Sequence, residues 1–183
     1  GSIGMAFLAG ATGQNLTESQ FGIASLKFRW NLSGSFQQAI PRYISTDKLG
    51  NDEKEFLNDF FPDLRTLTKA IFLKGYQWPF DPRKVSNHGS SLIDILVHME
   101  INNKDRNVYI DYSGNPSWKT GESFSLQNLD NEVKNYLQNS GAMMDSPIRR
   151  LRSLNTPAVE LYKKNGIDLE KEHLQIGVCT QHN

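Results

Sequence analysis

Few residues of this chain have types and spacings that suggest chemistry. The segment Phe80-Asp81-Pro82-Arg83-Lys84-Val85-Ser86 stands out. It is a proline-bounded loop placed just before a predicted helix. An arginine there projects from a constrained backbone, and its planar guanidinium can grip a carboxylate through two parallel hydrogen bonds. The four histidines, His88, His98, His173 and His182, are scattered, with no H-E-x-x-H spacing. His98 falls beside the apolar face of a predicted helix and reads as a satisfied structural histidine. Arg149, Arg150 and Arg152 read as a solvated face or a helix-end charge group. Ala9-Gly10-Ala11-Thr12-Gly13 is rich in small residues, but it lacks the lysine of a P-loop and the spacing of a dinucleotide fingerprint. Asn15 and Asn31 head glycosylation-type triplets that read as chance matches.

The elements that must position these residues alternate irregularly. Residues 19–30 and 33–46 read as extended, with Pro41 restricting its segment to a sheet edge. Phe56, Leu57, Phe60 and Phe61 recur at helical spacing from Asn51 until Pro62 stops them. Leu64, Leu67 and Ile71 predict a second helix, with Gly75 as its left-handed terminator. Residues 76–89 read as a structured loop whose aromatic residues pack onto something. Ser90 and Ser91 cap a third helix carrying Leu92, Ile93, Leu96, Val97 and Ile101. Val108, Ile110 and Tyr112 alternate as a strand. Residues 113–125 read as loop, and a helix follows over 128–139. Thr156-Pro157 marks another helix start, and Gly166 its stop. Leu174, Ile176 and Val178 alternate as a last strand. About five helices and four short strands in mixed order predict an α+β fold.

Composition narrows the function classes. The 183 residues are 38% hydrophobic and 22% charged, ordinary for a globular chain. Twenty Lys+Arg balance twenty Asp+Glu, which argues against a nucleic-acid-binding domain. No stretch approaches the ~20 apolar residues of a membrane-spanning helix. The lone Cys179 excludes an internal disulfide framework and a multi-cysteine zinc site. A reducing, cytoplasmic setting is the simplest reading. The apolar Ile3–Ala11 segment and the strand that begins at Leu174 look cut from something larger. Frayed termini of a complete domain are the plainer alternative.

Five segments, in order, resemble one family. Gly4–Ala11 (GMAFLAGA) is similar to a helix of the fumarate reductase/succinate dehydrogenase flavoproteins. Ser19-Gln20-Phe21 stands where that family has a strand ending in Q-[FY]-H-P-T. Pro82–Ser86 (PRKVS) resembles its P-R-D-x-V-S. Val108–Asp111 (VYID) resembles its V-Y-L-D strand. The stretch from Gly166 (GIDLEKEHLQIGVCTQHN) resembles its return to the flavin domain.

The resemblance implies a mobile capping domain over residues 19–173, flanked by stubs of an FAD-binding domain at 1–18 and 174–183. In such enzymes the cap holds an unsaturated acid against FAD, and hydride transfer to one alkene carbon accompanies protonation of its neighbour. Arg83 matches the arginine that gives the proton. His182 matches a histidine that holds a substrate carboxylate, and Gln20 falls at the substrate-binding strand. FAD belongs to the full-length parent and is not expected on this fragment, which is expected to be inactive alone. The partners implied are a carboxylate-bearing substrate and the missing FAD-binding domain, with self-association through the apolar stubs. Gly22-Ile23-Ala24 replaces H-P-T, and the arginine motif is one residue short. Both changes point away from fumarate or succinate, and Gly-Ile-Ala in place of polar anchors points towards a substrate larger or more apolar on that side. The rival reading is a self-contained binding module that uses Tyr76, Trp78 and Phe80 as an exposed recognition patch.

Overall fold

Residues alternating along five strands build one antiparallel sheet. In the computed structural model, which describes residues 2–14, 20–119, 121 and 123–181, the strands are β1 (Gln20–Ser25), β2 (Trp30–Asn31), β3 (Arg42–Thr46), β4 (Asn107–Asp111) and β5 (Leu174–Gln181). Their spatial order is β2-β1-β5-β4-β3. The helices are α1 (Ser2–Leu8), α2 (Ser35–Gln38), α3 (Leu64–Lys74), α4 (Leu92–Asn102), α5 (Asn131–Asn139) and α6 (Pro147–Lys164). The class is α+β, as expected.

Register decides which residues share a face. Tyr43 opposes Ile110, which opposes Leu174; Ser45 opposes Val108, which opposes Ile176. Beyond these, Ile176 opposes Ser25, Val178 opposes Ile23 and Thr180 opposes Phe21. With period-two alternation these residues form one inner face. Tyr43, Val108, Ile110, Leu174, Ile176 and Ile23 are buried in a single core with Phe36, Leu67, Phe72, Val97, Leu137 and Tyr162 of the helices. Helix α4 crosses β4 and β5 on this face, and its Glu100 accepts from the Ser45 hydroxyl at 2.8 Å.

The structure corrects several local expectations. Residues 35–38 are helical rather than extended. Their buried glutamines have partners from elsewhere: Gln37 accepts from the Tyr43 hydroxyl at 2.7 Å and Gln38 from that of Tyr136 at 2.9 Å. Of the helix predicted from Asn51, only a 3₁₀ turn at Phe56–Asp59 forms. Lys54 instead exchanges two backbone hydrogen bonds with Ser45, covering the edge of β3. Pro41 enters that edge strand directly, as predicted. Gly75 is right-handed, with φ −59°. What requires glycine there is space, because a Cβ would lie 2.7 Å from Cγ of Gln38. Helix α6 begins at Pro147 and breaks at Asn155, whose Oδ1 caps Ala158 N–H at 3.2 Å, one residue before the predicted start.

Strand β5 pairs with both β1 and β4, and Leu174 and Ile176 are fully buried. The division expected at residue 173 therefore runs into the middle of one sheet. Helix α1 exposes Met5, Phe7 and Leu8.

Candidate functional site

The loop that follows α3 docks on a vacant strand edge. Because β2 has only two residues, it pairs with β1 at Ala24 and Ser25 alone. Past the Leu32 N–H, which also donates to the Ile23 carbonyl at 3.1 Å, the edge of β1 receives the loop. Phe80 N–H donates to the Phe21 carbonyl at 2.9 Å, and the Trp78 indole N–H donates to the Ile23 carbonyl at 3.2 Å. The rings of Phe21 and Phe80 stack at 4.8 Å. Trp78 lies against Gly22, where a Cβ would sit 2.5 Å from its Nε1. Gly22 and Phe21 present opposite faces of the strand, so Trp78 and Phe80 straddle its edge. The aromatic residues read as a possible recognition patch are thus half-buried on β1, except for the exposed Tyr76.

Beyond Phe80 the chain closes on itself. Asp81 Oδ1 accepts from Arg83 N–H at 3.0 Å and caps a 3₁₀ turn at Pro82–Lys84. Ser91 takes the N-cap position of α4, as the sequence implied. Its hydroxyl does not cap the helix but accepts from Asp81 N–H at 3.0 Å. Ser90 donates to Gln77 Oε1 at 2.6 Å. These bonds fix the base of the loop carrying Arg83.

The Arg83 side chain is 87% exposed, and its Nε and Nη2 donate to the two oxygens of Asp81 at 3.0 and 2.9 Å. The hydrogen bond and charge of Asp81 raise the guanidinium pKa further, while Arg83 draws the Asp81 carboxyl below its usual range. Gln20 opposes Gln181 at the end of the sheet and is exposed. By alternation it faces away from Phe21 and Thr180. Arg83 and Gln20 are linked through the Phe21–Phe80 contact. His182 lies outside the described residues.

Beside this loop is an open cavity of about 400 Å³. Phe21, Val178 and Thr180 line it from the inner face, Phe80 from the loop, and Asp94, Ile95 and His98 from α4. His98 is exposed on its rim, not packed in the core, with Nδ1 3.1 Å from Asn102 Nδ2. Asp94 and Lys74 form a direct ion pair, and both are buried. Burial raises the pKa of Asp94 and lowers that of Lys74, as expected for charges withdrawn from water. Asp94 Oδ1 has no hydrogen-bond partner among the described residues. Sequence reasoning missed this cavity. Its signal was the shared parity of Phe21 and Ile23 with Val178 and Thr180, which only the register brings together.

The arginine cluster divides. Arg149 and Arg152 are paired at the surface with Asp145 and Glu170. Arg150, expected to be solvated, is completely buried. It donates to the carbonyls of Ala39 and Met144, each at 2.8 Å, and to Asn115 Oδ1 at 2.6 Å. Burial, partly offset by Asp145, pulls its guanidinium down to about 10. A third arginine, Arg42, is held by Asp111 at 2.7 Å with Glu53 and Glu55 nearby.

Among the described residues no group of three metal-ligating side chains could hold an ion, and no helix is long and apolar enough to cross a membrane. The Ala9–Gly13 segment follows the seven-residue α1, and residues 15–19 beyond it lie outside the described residues. Compared with models of known protein families, with curated proteins and with solved structures, the chain matches none.

Proposed function

We propose that this chain is the capping unit of an FAD-dependent oxidoreductase acting on a carbon–carbon bond of a carboxylate-bearing substrate, with Arg83 as the acid. The observation that carries the reading is the placement of Arg83. Its guanidinium is presented to solvent on a loop braced at both ends, and the loop's Phe80 lines an apolar cavity. Strands β1 and β5 stay paired out to Gln20 and Gln181. These paired strand ends lie side by side, next to Phe21, on which the loop docks. A unit joined in this way can hinge over a neighbouring flavin domain of the same polypeptide, which is the partner this reading requires.

FAD would supply the electron pair and, in this reading, is held by that domain. Arg83 has two tasks on this chain. Its fork orients a substrate carboxylate, and it delivers a proton to the substrate carbon. Arginine gives up a proton reluctantly, and Asp81 makes it more reluctant. The pair seen here is thus a resting arrangement. Closure that excludes water and brings the substrate against Arg83 must loosen it.

The test is Arg83→Lys in the full-length flavoprotein. Lysine keeps the charge but loses the planar fork. Turnover should fall by ~10²–10⁴-fold, the usual loss when a general acid is removed. Reduction of the flavin by the electron donor should survive. His182→Ala should instead raise KM. Near-full turnover of the Arg83→Lys enzyme would overturn the assignment.

A further inference from the structure

We propose that the cavity between β1, β5 and α4 binds the apolar body of the substrate, so that the substrate is a carboxylate bearing a ring-sized apolar group rather than a bare dicarboxylate. This rests on the reading of Arg83 given above and adds the class of acid. Phe21, Phe80, Ile95 and Val178 supply apolar walls around about 400 Å³, within the range of small-ligand pockets, ~300–1,000 Å³. Phe80 belongs to both the cavity wall and the loop, three residues before Arg83. Phe80 also lines the separate hollow that Arg83 lines, so it is the residue the two share, and in this proposal the body seats on Phe80 while the carboxylate reaches round it to the arginine.

Charge settles which end goes in. The ionised groups at the floor are Asp94 and, behind it, the fully buried Lys74. Their charges cancel, and the member that lines the cavity is the acidic one. A second carboxylate driven inward would meet Asp94, no lysine or arginine lines the cavity to receive it, and Lys74 is already committed. An uncharged ring meets no such penalty, and its burial is favourable. His98 and Thr180 stand at the rim, where polar groups stay wet.

The experiment uses two probes, cyclohexenecarboxylate and fumarate. Binding of each to this chain is measured by calorimetry and by the NMR shifts of the Phe21 and His98 resonances. The ring acid should bind at least about tenfold more tightly than fumarate, with both resonances moving. Ile95→Trp, which fills the cavity, should weaken the ring acid by about tenfold or more and leave fumarate unchanged. If Ile95→Trp does not fold, His98→Trp at the exposed rim serves the same purpose. Equal affinity for the two acids, no saturable binding of the ring acid, or indifference to the filled cavity would each overturn the proposal.

The same acids are then tested as oxidants of the reduced full-length flavoprotein. Flavin reoxidation that ignores Ile95→Trp would sink the pocket but keep the oxidoreductase. Cavity-dependent binding to this chain, with no reoxidation by either acid, would sink the oxidoreductase and keep the pocket.

Discussion

Phe80 is bound to Phe21 twice, through ring stacking at 4.8 Å and through its N–H on the Phe21 carbonyl at 2.9 Å. The loop that presents Arg83 is therefore an extension of the sheet. Its position follows β1, and β1 follows β5. Whatever moves the paired ends of these strands moves Arg83 and the cavity wall together.

Gly22→Ala should release that coupling. A Cβ at this position would stand 2.5 Å from Nε1 of Trp78, inside any real contact. Either the indole moves or the strand bends. Overpacking of this kind costs about 1–3 kcal/mol. The urea midpoint should fall accordingly, and the Trp78 indole N–H should lose its bond to the Ile23 carbonyl, visible as faster hydrogen exchange. A variant with unchanged midpoint and unchanged indole exchange would show that Trp78 does not hold the loop.

Legibility in the sequence followed the range of the forces involved. The α4 apolar spacing, the β4 alternation and the edge position after Pro41 are local patterns, and all three are present. The loop at 76–89 was readable as packed, because its aromatic content has no other use. Where it packs was not readable, since Gly22 stands more than fifty residues away in sequence and only the short β2 leaves it uncovered. Residues 35–38 and Arg150 were misread for a common reason. The Gln38 and Arg150 side chains are satisfied by groups far away in sequence, and nothing next to them announces those partners. His98 looked structural because helical periodicity places it near an apolar face. The cavity it rims comes into being only when β1 and β5 pair.

Arg150 supports a prediction about stability. Ile40 has a positive φ of 53°, rare for a β-branched residue, just before Pro41. Arg150 holds the carbonyl of the preceding Ala39 at 2.8 Å and stacks on Phe124, 5.0 Å from the ring centroid. Arg150→Ala would leave several buried carbonyls without donors and open a cavity. The expected loss is about 3–5 kcal/mol. Arg150→Lys should recover only part of it, because one ammonium cannot reach all the acceptors. Full stability of the alanine variant in urea would mean that water replaces the guanidinium at no cost.

Asp111 should govern part of the acid response. Burial alone would raise its carboxyl, but bonds from the Ser113 hydroxyl and N–H and from Arg42 outweigh this and hold it below the usual carboxylate range. The folded pKa is thus lower than the unfolded one. The stability it contributes is present above the unfolded value, ~3.9, and is lost as pH falls through the folded value. Asp94, raised by burial, acts in the opposite direction over its own range. The informative quantity is therefore the difference between wild type and Asp111→Asn. Urea midpoints measured from about pH 6 downward should differ most at the upper end and converge in acid. A constant gap across this range would contradict the assignment.

The buried pair of Lys74 and Asp94 should be costly to break and inexpensive to remove. Both side chains are withdrawn from water, 0% and 1% exposed. Lys74→Met leaves an uncompensated carboxylate in the core, and Asp94→Leu leaves an uncompensated ammonium. Each single variant should lose about 3–5 kcal/mol. The double variant Lys74→Met/Asp94→Leu replaces two desolvated charges with apolar groups of similar size and should lie within about 1–2 kcal/mol of wild type. The cycle also separates stability from binding. Asp94 lines the cavity and Lys74 does not, so in the double variant the floor becomes apolar while the fold is kept. Binding of cyclohexenecarboxylate should be retained or strengthened there, and discrimination against fumarate should persist. If the double variant is as unstable as either single one, the pair is needed for more than mutual neutralisation. If it is stable but loses the ring acid, Asp94 recognises the ligand directly rather than only turning away a second carboxylate.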